Sequence, residues 1–131
     1  MSDRLRASGP TLREAFANVA LAVLTRAVDP ASVEEHEVRE VRAHGSSVQS
    51  LAANWINECL YVHEVEGFAW RRIEFAVFEA EARAGGEPMR LHGFLHGEPI
   101  DGAAGDVTAV VSADAVSVSA TDRGYEIELD L

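Results

Sequence analysis

With 131 residues, 47% of them hydrophobic and 25% charged, the chain has the size and composition of one globular domain. This excludes an intrinsically disordered chain, and no metal or disulfide is needed to close the core. Acidic residues number 22 against 11 basic ones, a net charge of −11 that repels phosphate backbones, and every basic residue is Arg, so chemistry built on a lysine amine or a P-loop is excluded.

Arg4-Leu5-Arg6-Ala7-Ser8 alternates polar and apolar residues and predicts a short strand ended by Gly9-Pro10. Thr11 and Glu14 have capping-box spacing, and Leu12, Phe16, Val19 and Val23 line one face of a helix running toward Pro30. Residues 37–43 predict a second strand, and Gly45-Ser46-Ser47 opens a second helix. Its apolar face is broad, with Val48, Leu51, Ala52, Trp55, Ile56, Cys59 and Leu60, as packing against a sheet requires. Beyond Gly67 the period switches to two. Residues 71–83 and 89–96 predict a hairpin across Gly85-Gly86, 107–111 and 116–120 another pair, and 125–131 a last strand with Tyr125, Ile127 and Leu129 on one face and Glu126, Glu128 and Asp130 on the other. The expected fold is α+β, a single domain over 1–131 with two helices packed on a mainly antiparallel β-sheet arrangement.

The chemistry is sparser than the fold. Cys59 is alone, so no internal disulfide forms; no signal peptide opens the chain and no apolar run reaches the ~18 residues of a membrane span. A cytoplasmic protein is expected. His92 and His96 share a strand face with Phe94 between them, roughly 13 Å apart, too far for one metal ion without a bend. A small metal-dependent hydrolase on this pair is the weakest of three readings, because no nucleophile with a nearby base accompanies it. His63 reads as a partner of its helix dipole, Cys59 as inert packing, and Gly97 and Pro99 as backbone punctuation beside the solvated acids Glu98 and Asp101. Asp130 and the terminal carboxylate of Leu131 offer hard oxygens to calcium or magnesium, against the plainer reading of a solvated acidic strand.

Several segments together resemble the archease family. The run from Arg6 to Asn18 (RASGPTLREAFAN) is similar to that family's first-helix signature, as are Trp55-Ile56-Asn57-Glu58-Cys59-Leu60-Tyr61 with Val65-Glu66-Gly67, the Gly97-Glu98-Pro99-Ile100-Asp101 segment, and the closing Gly124–Leu131 strand. The resemblance implies a small, non-enzymatic protein that acts as cofactor of an RtcB-type RNA ligase in tRNA splicing and RNA repair, promoting its guanylylation and turnover. A link to a tRNA methyltransferase is implied as well. It also implies a cation site, commonly for calcium, between an early aspartate and the penultimate one; Asp130 matches the latter and Asp3, with a one-residue gap, the former. Two departures accompany it. The chain begins at the family's early aspartate, without the preceding strand and histidine, and the family's Lys-Ala-Val-Thr segment stands here as Thr108-Ala109-Val110-Val111. A degenerate archease, acting as an interaction or chaperone-like protein without ligase activation, is the alternative. The missing strand would leave residues 4–8 as an open edge, which predicts a homodimer.

Overall fold

The computed structural model describes residues 4–80, 88–100 and 112–130. Six strands and two helices follow in the order β1 (Arg4–Gly9), α1 (Leu12–Leu24), β2 (Glu37–Gly45), α2 (Val48–Glu64), β3 (Phe68–Glu79), β4 (Met89–Pro99), β5 (Val116–Thr121) and β6 (Gly124–Asp130). They form two antiparallel three-stranded sheets, ordered β1-β6-β5 and β2-β4-β3. The fold is therefore the expected α+β arrangement, with the strands divided between two sheets that share both helices.

Helix α1 starts where Thr11 accepts a hydrogen bond from the Glu14 amide at 3.1 Å. It ends at Leu24, well short of Pro30, where the backbone bonds tighten from Thr25 N–H to the Leu21 carbonyl into Arg26 to Val23 and Ala27 to Leu24, and Pro30 begins a separate 3-10 turn capped by Asp29. Helix α2 carries a reciprocal box between Ser47 and Ser50, in which serine takes the place usually held by Glu or Gln.

The core lies between helices and sheets. Phe16, Val19, Leu51, Trp55, Ile56 and Cys59 are fully buried, as the helical periodicity predicts, and Val48 is only half-buried at the rim. Trp55 donates its indole N–H to the Phe16 carbonyl at 2.9 Å and packs on Phe75, while Phe16 meets Phe78 edge-on, so the two helices and β3 lock together. Gly93 makes this possible from β4, since an added Cβ would stand 3.2 Å from the Trp55 and Phe75 rings.

Strand β4 overturns one expectation. It runs on through Gly97 and Glu98 to Pro99 instead of breaking at Gly97. Gly97 pairs with Glu37 and Trp70, and the positive-φ glycines among the described residues are Gly67 and Gly124. What Gly97 supplies is closeness: a Cβ there would run into the Ala69 carbonyl oxygen. The Gly85-Gly86 turn and residues 107–111 lie outside the described residues.

Candidate functional site: an acidic corner beside the first and last strands

Antiparallel pairing sets Arg4 opposite Asp130, Arg6 opposite Glu128 and Ser8 opposite Glu126. The period of two sends Ala7, Ile127 and Leu129 into the core with half-buried Leu5 beside them, and turns the charged residues outward. On that outer face Arg6 reaches Glu128 at 2.9 Å and Glu126 at 3.2 Å, while Arg4 stands 3.5 Å from Asp130 and 3.7 Å from Glu128. Glu128 is held below the usual carboxylate range, first by hydrogen bonding with Glu126 and then by the charges of Arg6 and Arg4, with partial desolvation opposing.

Beside this ladder lies a cleft of about 160 Å³, lined by Arg4, Gln49, Asp114, Ser117, Glu128 and Asp130 among others. Gln49 fixes one wall by donating to the Val116 carbonyl at 3.2 Å. Asp114 comes from the 3-10 turn Ala113–Ala115 that leads into β5. Only the register Val116↔Leu129, which carries that turn to the end of β6, reveals it as a neighbour of the acidic corner.

A divalent cation is what the resemblance implies here. The oxygen donors have the right chemistry, but Arg4 stands beside both Asp130 and Glu128 and competes with an ion for them. Among the described residues no three His, Cys, Asp or Glu side chains converge to hold an ion. The described residues alone therefore do not fit a cation site. Asp3 and Leu131, the other two expected ligands, lie outside the described residues, as do Asp101 and the Thr108–Val111 segment.

The remaining sequence candidates resolve into structural roles. His92 and His96 share the outer face of β4 but do not share a partner: His92 Nε2 lies 2.8 Å from Glu40 on β2, and His96 Nε2 lies 2.7 Å from Glu74 on β3. Each glutamate also holds an arginine of its own strand, Arg42 and Arg72 respectively, so the pair is divided between two ion clusters and not gathered on one metal. His63 is buried near the end of α2, and its Nδ1–H donates to the Phe68 carbonyl at 3.0 Å. His63 stands in the last turn of α2, as expected of a partner of the helix dipole, and this bond ties it across the turn to β3 as well. Burial pushes the Cys59 thiol well up, which keeps it protonated and inert. Glu98 is not simply solvated either, since it accepts from the Glu34 amide at 2.6 Å and ties the acidic connector to β4.

No helix among the described residues is long and apolar enough to cross a membrane. The chain matches the family model described as the Archease protein family (MTH1598/TM1083) over residues 3–129. It is similar to Protein archease of Pyrococcus abyssi, 35% identical over 74% of this chain and 65% of that one, and of Pyrobaculum calidifontis, 34% identical over 74% and 63%. These matches span slightly less than two thirds of those relatives' length. Protein archease of Saccharolobus islandicus is 30% identical over 94% of this chain and 86% of its own. The solution structure of Methanobacterium thermoautotrophicum protein 1598 shares the fold, with a TM-score of 0.64 at 24% identity over 98% of this chain and 89% of that one. From helix signatures to closing strand, the chain belongs to the archease family.

Proposed function

We propose that this protein is a non-catalytic cofactor of an RtcB-type RNA ligase in the cytoplasm, promoting the ligase's guanylylation and repeated turnover in tRNA splicing, and that the acidic corner is its contact surface. The observation that carries this reading is the family correspondence over residues 3–129, which ends on the strand bearing Asp130. The physics agrees. An enzyme that grips RNA phosphates presents a basic surface, and a protein of net charge −11 with carboxylates aligned on one sheet face is complementary to it. Such a protein docks on the ligase without touching RNA itself. A tRNA methyltransferase, which binds the same kind of substrate, is a second partner of the same chemistry.

The cation belongs to this proposal only with Asp3 and Leu131 added to Asp130. Calcium takes six to eight oxygens and tolerates irregular geometry, so a set this small binds it weakly, on the order of 10⁻⁴ to 10⁻³ M. The test of the main reading is ligase guanylylation with and without this protein.

One observation favours a second reading. The chain contains no lysine, so the charge of the family's Lys-Ala-Val-Thr segment is missing. In that reading the protein keeps the fold and the docking surface, and acts as an interaction or chaperone-like protein that binds the ligase without raising its turnover.

A further inference from the structure

We propose that a cleft on the outer face of the β2-β4-β3 sheet binds the phosphoryl group of a small anionic ligand. The cleft has a volume of about 260 Å³ and is lined by Arg42, His44, Val77, Arg90, Leu91 and His92. The β2–β4 register builds it: Arg42 lies opposite His92, and His44 opposite Arg90, so two arginines and two histidines occupy adjoining positions on neighbouring strands. Val77, opposite His92 across the β3–β4 pairing, and buried Leu91 supply its apolar part. In a chain with twice as many acids as bases, none of the described residues lining this cleft is a carboxylate.

Two glutamates that are not among its lining residues hold its arginines. Glu40 takes the Nε and Nη2 of Arg42 on one oxygen, at 2.9 and 2.8 Å, and the same oxygen lies 2.8 Å from His92 Nε2. Glu79 takes Arg90 Nε at 2.8 Å. A carboxylate that pairs with a guanidinium fixes its orientation, and a held guanidinium matches the oxygens of a phosphate better than a mobile one. The ligand class follows from size and charge. The volume falls below that of drug-sized pockets, and the overall negative field opposes a polyanion while tolerating one compact phosphoryl group. The site lies on the other sheet from the acidic corner and does not rest on the ligase reading.

The test is a titration of the whole protein with inorganic phosphate and, separately, with adenosine monophosphate, against sodium chloride at equal ionic strength and pH, followed through the histidine ring proton resonances. Phosphate should move His44 and His92 saturably in the millimolar range and leave buried His63 in place. The Arg42→Gln/Arg90→Gln double variant changes two exposed side chains, so it should stay folded by circular dichroism and lose the response. Unmoved His44 and His92 resonances in the wild type, or an equal response in the folded double variant, would overturn the assignment. A short single-stranded RNA that moved the same resonances at lower concentration than phosphate would overturn its small-ligand part.

Discussion

Trp55 joins several elements of the core: it spans from α2 to β3, lies over the space left by Gly93, and hydrogen-bonds the backbone of α1. Trp55→Ala leaves a cavity and removes the indole's hydrogen bond to the Phe16 carbonyl, and should cost ~3–5 kcal/mol in urea melts. A loss under about 1 kcal/mol would contradict this packing. Its burial was legible from helical spacing alone. Asp130 was legible too, from the alternation of the last strand, but its partner was not, because the pairing of residue 4 with residue 130 is a matter of topology and not of local pattern. That partner sharpens the cation prediction. Arg4 competes with any ion for Asp130 and Glu128. Calcium should raise the melting temperature of the wild type slightly, Asp130→Asn should abolish the rise while hardly changing the value in chelator, and Arg4→Gln should enlarge it. Equal calcium responses in all three would place the ion elsewhere.

At the scale of the elements, the two helix starts were readable because capping chemistry is local. The Ser47→Ala variant, which breaks the α2 box, should lower stability by about 1 kcal/mol. The course of β4 was less readable. Glycine and proline signal a turn in sequence, whereas Gly97 is demanded by the close approach of β3, a contact from 28 residues earlier in the chain that no local window contains. The outer face of β3 makes a pH prediction. Hydrogen bonds from Arg72 hold Glu35 and Glu74 below the usual carboxylate range. Carboxyls depressed in the folded state contribute stability above their unfolded pKa and lose it as pH falls through the folded one. Wild type should therefore exceed Arg72→Gln in stability at neutral pH, and the gap should close between about pH 5 and pH 3. A gap that stays constant under acid, by denaturant melts at each pH, would mean these pairs contribute nothing.

For the whole molecule, the division into two sheets was not legible, because alternation identifies strands without saying which strands share a sheet. Among the described residues β1 has a strand neighbour on one side only, β6, and sedimentation should detect a dimer formed through that edge. A strictly monomeric protein at high concentration would contradict it. The central claim is the partnership with an RtcB-type ligase. It is tested most directly by following guanylylation and multiple turnover of a cognate ligase with increasing amounts of this protein at low and high salt. A saturable rise in ligase turnover, weakened by salt, is the predicted result; ligase turnover unchanged at saturating protein would contradict the claim.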